Sequence, residues 1–140
     1  MAEVLFSLEE YPSYRQHGLA DLEVKVTTGL NAQSSQRSVL VAELEGRVVG
    51  YATVYWMTLL FASPEGYVSE LFVHADASGH GAGTALLETI TTAAIARDCR
   101  RLTLINMTDR ESYRRQFYAR RGWVEQKNAA RFVLNLEGIT

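Results

Sequence analysis

The middle of the chain runs from an apolar segment through three closely spaced glycines into a segment with helical periodicity. The run Tyr67–Val73 predicts a mostly buried strand, because its apolar residues do not strictly alternate. Gly79, Gly81 and Gly83 follow, and apolar residues then recur with the period of an α-helix from Thr84. Glycines let the backbone approach a ligand closely, and a helix start offers unpaired N–H groups and partial positive charge. The segment therefore predicts either a phosphate-binding loop or a simple strand-to-helix turn.

Two familiar nucleotide-binding motifs do not fit this loop. A triphosphate-binding loop needs Lys and then Ser or Thr after its last glycine, whereas Thr84-Ala85 follow Gly83. A dinucleotide fingerprint starting at Gly81 would need a small residue where Leu86 stands. A fingerprint starting at Gly79 fits Thr84 but, like the first, lacks a suitable acidic residue about 20 positions further on. Triphosphate hydrolysis and hydride transfer are disfavoured.

Helices and strands interleave along the rest of the chain. Apolar residues at helical spacing predict two N-terminal helices, interrupted at Pro12, and a Gly-containing turn at 45–47 predicts a hairpin of Val39–Leu44 and Val48–Trp56. A strand is expected at 102–105. The last predicted elements are a helix opened by the capping-box spacing of Thr108–Glu111 and stopped at Gly122, and a strand over Phe132–Leu136. This order predicts an α/β or α+β fold with a central sheet covered by helices.

Composition narrows the class of protein further. The 140 residues are 47% hydrophobic and 21% charged, with a net charge of −2, which predicts one folded domain over residues 1–140. The near-neutral charge argues against nucleic acid or a membrane surface as partner. One cysteine, Cys99, excludes an internal disulfide, and no Cys/His cluster has zinc-finger spacing. We expect a cytoplasmic protein without a targeting signal.

Three segments together are similar to one family. They are Glu70-Leu71-Phe72-Val73, the loop Ser78 to Gly83, and Phe117-Tyr118-Ala119-Arg120-Arg121-Gly122-Trp123. Their order and spacing resemble the GNAT superfamily of acetyl-CoA-dependent N-acetyltransferases, over about Val39 to Leu136. In that family an (Arg/Gln)-x-x-Gly-x-(Gly/Ala) loop holds the pyrophosphate of CoA, and a later helix carries Phe-Tyr-x-x-x-Gly-Phe. The resemblance implies a mixed sheet flanked by helices, and direct acetyl transfer to a primary amine.

The resemblance also implies a cosubstrate and the residues that bind it. Acetyl-CoA is expected, with the backbone of Leu71, Phe72 and Val73 along its pantetheine arm. Its pyrophosphate is expected at the loop and the helix start, which comprise Ser78, Gly79, His80, Gly81, Ala82, Gly83 and Thr84. No metal is expected.

Two side chains are candidates for proton transfer. Acetyl transfer needs a base for the amine and an acid for the departing thiolate. Tyr118 matches the family's tyrosine near the thioester sulfur, which implies the general acid; packing beside Phe117 is the alternative. Glu70 lies in an otherwise apolar strand, which indicates a partly desolvated carboxylate suited to a general base. An outward-facing or salt-bridged glutamate is the alternative for Glu70.

The acceptor is expected to be a small-molecule amine, with a protein N-terminus or lysine as the alternative. Four residues before or within the strand are candidates to line its pocket, with core packing as the alternative: Tyr55, Trp56, Met57 and Tyr67. His74 and His80 are candidates for a base or a phosphate contact.

The sequence departs from the family pattern at three places, one of which is Glu111, where many relatives have Asn. Ser78 stands where the loop usually has Arg or Gln, and the family's first strand is missing ahead of the N-terminal helices. The missing strand would leave a sheet edge exposed, which predicts a homodimer. A catalytically weak acyl-CoA-binding or sensing domain is the alternative function.

Overall fold

A computed structural model describes residues 1–11, 15–16, 18–31 and 35–138. The chain forms two compact units, Met1–Ile105 and Asn106–Thr140, and each is described by itself. A single domain over residues 1–140 stays a prediction.

Two helices precede the sheet, as predicted. Helix α1 spans Ala2–Ser7 and α2 spans Gly18–Asn31. Pro12, the predicted interruption, lies outside the described residues. Among the residues described before Arg37 there is no strand, in agreement with the missing first strand. Val4, Leu5 and Leu22 form an apolar cluster that joins the two helices to the sheet residue Tyr51.

Four strands form a mixed sheet, which confirms the predicted fold class. The strands are β1 (Arg37–Leu44), β2 (Arg47–Met57), β3 (Glu65–Val73) and β4 (Arg101–Leu104), in the order β1-β2-β3-β4. The first two pairs are antiparallel and β3 pairs with β4 in parallel. Glu45 and Gly46, with φ of 52° and 76°, form the two-residue turn of the predicted hairpin. Two left-handed residues match the twist of a hairpin, which is why glycine suits this turn.

Helices cover both faces of this sheet. Helix α3 (Ala82–Ala96) connects β3 to β4 and packs on the face of Gly50, where a Cβ would lie 3.4 Å from Leu86 Cδ1. Tyr51, the next residue of β2, points to the opposite face and packs in the α1–α2 cluster. The alternation along β2 therefore places the glycine loop and α3 on one side and the N-terminal helices on the other.

In the second unit, the predicted capping box and the predicted continuous helix are both wrong. Helix α4 spans only Glu111–Arg114, its N-cap is Arg110 rather than Thr108, and no side chain caps it. The helix ends there because Gln116 adopts a φ of 56°, a left-handed conformation that interrupts helical hydrogen bonding. A short 3₁₀ turn, Ala119–Arg121, follows, and Gly122 ends it with a φ of 89°, as predicted for this glycine.

The predicted last strand over Phe132–Leu136 is also wrong. These residues have no regular secondary structure, and the side chains of Phe132 and Leu134 are 92% and 78% exposed. Four of these five residues are apolar, but an apolar run forms a strand only when its backbone groups can hydrogen-bond to a neighbouring strand. Within the described residues the sheet ends at β4, and no strand pairs with this segment.

Candidate active site

The sheet of the first unit opens between β3 and β4. Their parallel pairing runs from Glu65 and Arg101 only as far as Val68 and Leu104. Beyond Val68, β3 continues for five residues that have no described pairing with β4, and the last four of them pair with β2. The predicted pantetheine-binding residues lie in this stretch: Leu71, Phe72 and Val73. An extended ligand can add to a sheet along a strand edge that has no neighbouring strand.

A β-bulge in β3 lies at the start of this opening. Glu70 is opposite Thr53 and Val68 is opposite Val54, so Ser69 is the extra residue between them. The bulge brings Ser69 and Glu70 to the same neighbour, because the Thr53 hydroxyl lies 2.6 Å from that of Ser69 and 3.1 Å from Glu70 Oε1. Bulges of this kind redirect side chains and occur often beside active sites.

The half-buried carboxylate of Glu70 accepts two hydroxyl hydrogen bonds. Tyr51 donates to Oε2 at 2.8 Å and Thr53 donates to Oε1 at 3.1 Å. Glu70 is therefore neither salt-bridged nor fully outward-facing in the described contacts. Tyr51, Thr53 and Ser69 were not among the predicted site residues. The sequence offered one signal for two of them. Tyr51 and Thr53 are two positions apart in the mostly apolar strand β2, and side chains at that spacing share one face of a sheet.

Aromatic rings flank Glu70 on the same face of the sheet. Phe72 packs against Tyr51 and Tyr11, with ring centroids 5.8 and 5.2 Å apart. On the other side, Tyr55 and Tyr67 are direct partners across β2 and β3, and Tyr55 is 43% exposed.

Trp56 does not belong to this aromatic group. It faces the α3 side, where its Nε1 donates to the Ser38 hydroxyl at 2.8 Å and its ring stacks 4.4 Å below the Arg97 guanidinium. The strand alternation separates it from Tyr55 and Tyr67. The predicted cluster of four residues is thus divided between two faces.

The glycine loop has the backbone that its sequence predicts. A 3₁₀ turn, Ala75–Ala77, leads to Ser78, and Gly79 and Gly81 adopt φ of 85° and 82°. Both conformations are strained for residues with a Cβ. Gly81 is the N-cap of α3, which begins at Ala82, and Gly83 is buried in its first turn. The first N–H groups of a helix have no partner within it, so this turn can bind an anion.

The two loop histidines have different environments. His74 Nδ1 accepts a hydrogen bond from the Asp76 backbone N–H at 3.1 Å and thereby caps the 3₁₀ turn. His80 is exposed beside a groove of about 300 Å³ between the glycine loop and the β1–β2 hairpin. The groove is lined by Ala42, Glu43, Leu44, Val49, Ala77, His80, Gly81, Ala82 and Ala85. Of these two histidines, His80 is the one whose position suits a contact with a phosphate.

Tyr118 lies in the second unit, in an aromatic group of its own. Its ring makes edge contacts with Phe117 and Trp123, at centroid distances of 5.0 and 5.9 Å. The side chain is half-buried and directly precedes the 3₁₀ turn.

An ion cluster around one buried glutamate at the closed end of the β3–β4 pair was not predicted. Glu65 is 5% exposed, and its Oε1 accepts from Nε of Arg100 and Nε of Arg101, each at 2.7 Å. Burial favours the neutral carboxyl, but the hydrogen bonds and positive charges of both arginines outweigh it, so the pKa of Glu65 lies below its usual value. This cluster holds β4 against β3 where the two strands do pair.

Among the described residues, no three His, Cys, Asp or Glu side chains are grouped closely enough to hold a metal ion. None of the described helices has the length and apolar character needed to cross a membrane.

The mixed sheet flanked by helices defines the GNAT fold class. The model of the acetyltransferase (GNAT) family matches residues 5–123, and the chain belongs to this family. Membership supports an acyl- or acetyltransferase, for which acetyl-CoA is the expected acyl donor. A search of curated protein sequences finds no significant match.

Solved structures share the fold at low sequence identity. An integron cassette protein from the mobile metagenome of V. cholerae is 23% identical, with a TM-score of 0.76 over 98% of this chain and 87% of that one. An aminoglycoside acetyltransferase from an uncultured soil metagenomic sample is 20% identical, with a TM-score of 0.68 over 81% and 74%. A ribosomal-protein-alanine N-acetyltransferase from Brucella melitensis biovar Abortus 2308 is 21% identical, with a TM-score of 0.66 over 89% and 86%.

Proposed function

We propose that the protein transfers the acetyl group of acetyl-CoA directly to a primary amine, with Glu70 as general base and Tyr118 as general acid. The observation that carries the proposal is the position of Glu70, a half-buried residue of β3 just beyond the last β3–β4 pair, whose carboxylate accepts hydrogen bonds from Tyr51 and Thr53 of β2. The proposed cosubstrate extends from the glycine loop along Leu71–Val73 toward this carboxylate.

In the proposed reaction, one proton transfer accompanies the formation of a tetrahedral intermediate and another accompanies its breakdown. The amine nitrogen bonds to the thioester carbonyl carbon while Glu70 accepts a proton from the nitrogen. The tetrahedral intermediate then releases the CoA sulfur, and the Tyr118 hydroxyl gives its proton to the departing thiolate. Both groups return to their starting states through exchange with solvent.

A small cationic amine is the proposed acceptor. The Tyr55 and Tyr67 rings share the sheet face of Glu70, and aromatic faces beside a carboxylate suit an ammonium group before it loses its proton. The similar aminoglycoside acetyltransferase supports a small molecule, whereas the similar ribosomal-protein-alanine enzyme points to a protein N-terminus. Acceptors of both kinds therefore belong in the assay.

Replacing Glu70 with Gln tests the proposal. Glutamine keeps the size of the side chain and one oxygen acceptor but cannot take a proton, so we expect kcat to fall about 100-fold with little change in the KM for acetyl-CoA. Glu88→Gln, an exposed change on α3, is the control. A Glu70→Gln enzyme with nearly full kcat would contradict the base assignment.

We also propose a homodimer in a cytoplasmic setting. Strand β1 is one of the two outer strands of the described sheet, and its Val41 and Leu44 side chains are 48% and 47% exposed. An open edge with apolar side chains favours pairing with a second copy. Light scattering at micromolar concentration should give a dimer mass; a monomer mass would contradict the proposal.

A further inference from the structure

We propose that Tyr51 and Thr53 are positioning residues, which hold the Glu70 carboxylate in one orientation toward the acceptor amine. The inference rests on the proposed base role of Glu70 and adds two residues of β2 to that site. It is carried by one contact to each carboxylate oxygen: Tyr51 on Oε2 and Thr53 on Oε1.

The Tyr51 hydroxyl has a fixed position. The residue is 2% exposed, and its ring packs with Val4, Leu5 and Leu22 from the N-terminal helices and against Phe72. A ring enclosed on these sides cannot change rotamer without opening the core. The orientation of Glu70 Oε2 is therefore set by packing between the helices and the sheet.

The Thr53 hydroxyl is held by the bulge. It has one proton, so while it donates to Glu70 it accepts from the Ser69 hydroxyl 2.6 Å away. Thr53 is itself 7% exposed. The three residues form a chain from Ser69 through Thr53 to Glu70, which fixes the second carboxylate oxygen.

The arrangement leaves acceptor capacity for a substrate. An ionised carboxylate can accept about four hydrogen bonds, and each oxygen of Glu70 receives one from the protein hydroxyls described above. Because Glu70 is only half-buried, its remaining lone pairs are accessible to an amine N–H. Two fixed contacts limit how the carboxylate turns, and orientation of a reacting group contributes directly to rate.

The test compares variants that remove or keep each hydroxyl. Tyr51→Phe keeps the ring, and Thr53→Val keeps the branched shape; we expect each to lower kcat about tenfold while the KM for acetyl-CoA changes less than about twofold. Thr53→Ser retains the hydroxyl and should restore kcat. The matched control is Tyr113→Phe, which also removes a tyrosine hydroxyl bonded to a glutamate, Glu125, but on an exposed surface.

Comparing Glu70→Gln with the Tyr51 and Thr53 variants distinguishes the positioning role from the base role. If Glu70→Gln keeps its kcat, the base assignment fails and the positioning role fails with it. If Glu70→Gln loses kcat while Tyr51→Phe and Thr53→Val keep theirs, only the positioning role is overturned. If Tyr51→Phe does not fold, the Thr53→Val and Thr53→Ser pair decides: equal kcat values overturn the inference, and loss with rescue supports it.

Discussion

Val68 lies opposite Leu104 in the last pair of the β3–β4 ladder. The ladder ends there although β3 continues to Val73, so one edge of β3 faces an opening rather than a strand. The glycine loop begins directly after this edge. Strand β3 therefore contains the proposed base and the proposed pantetheine contacts, and the chain continues from it into the glycine loop.

This geometry predicts selective stabilisation by CoA compounds. Acetyl-CoA or CoA present at 100 times its Kd should stabilise the protein by about 2.7 kcal/mol, a readily visible rise in melting temperature. NADH and ATP should give no comparable shift, because the loop lacks the features that their motifs require. Equal shifts with all of these ligands in a thermal-shift assay would defeat the loop assignment.

Gly81→Ala should weaken CoA binding through the backbone. Gly81 has a φ of 82° and open space where a Cβ would lie, so alanine adds about 1 kcal/mol of conformational strain without a clash. Relief of that strain would move the loop N–H groups, and we expect the Kd of CoA to rise about tenfold in calorimetry.

Gly46→Ala provides the matched control for that variant. Gly46 has a φ of 76° and equally open space, but it lies in the hairpin turn. We expect a similar loss of stability with an unchanged Kd for CoA. If Gly81→Ala leaves the Kd for CoA unchanged, as Gly46→Ala is expected to do, the glycine loop does not bind CoA.

Tyr118→Phe should slow the chemical step alone. The ring keeps its contacts with Phe117 and Trp123, and only the hydroxyl is lost. General acid catalysis contributes about 100-fold or more, so kcat should fall by that order with the KM for acetyl-CoA nearly unchanged. Tyr113→Phe is again the control. Nearly full kcat, in single-turnover conditions where chemistry limits the rate, would make the acid assignment wrong.

The Glu65 cluster predicts a loss of stability in acid. Because the pKa of Glu65 is lowered by folding, its contribution is fully present above the unfolded pKa of about 4.3 and is lost as pH falls through the folded pKa. We expect Glu65→Gln to lower the melting temperature by about 5 °C at neutral pH. That difference should shrink below about pH 4; a difference that stayed constant from neutral to strongly acidic pH would contradict the account.

Local signals predicted most of the first unit. The hairpin follows from Glu45 and Gly46, whose turn conformation is encoded by adjacent residues, and the loop follows from Gly79 and Gly81. The bulge at Ser69 depends on how β3 aligns with β2, and no residue within β3 signals it. For this reason Glu70 was found from the sequence, whereas the hydroxyls that hold it were not.

The second unit shows where local signals fail. The Thr108–Glu111 spacing predicted a cap at Thr108, but the N-cap lies two residues later, at Arg110, and the helix is stopped by the left-handed Gln116. The apolar run in Phe132–Leu136 predicted a strand, but an apolar run by itself supplies no partner strand. Strand formation is a tertiary event, and sequence pattern alone does not fix it.

Product formation from acetyl-CoA with a panel of acceptors would measure acetyl transfer to an amine directly. The panel should include a polyamine, an amino acid, an aminoglycoside and a peptide with a free N-terminus, with CoA release and product mass both recorded. We predict amine-dependent CoA release, matched by a mono-acetylated product, for at least one small amine. If acetyl-CoA binds but no amine is acetylated, the account is contradicted, and the protein is an acyl-CoA-binding domain instead.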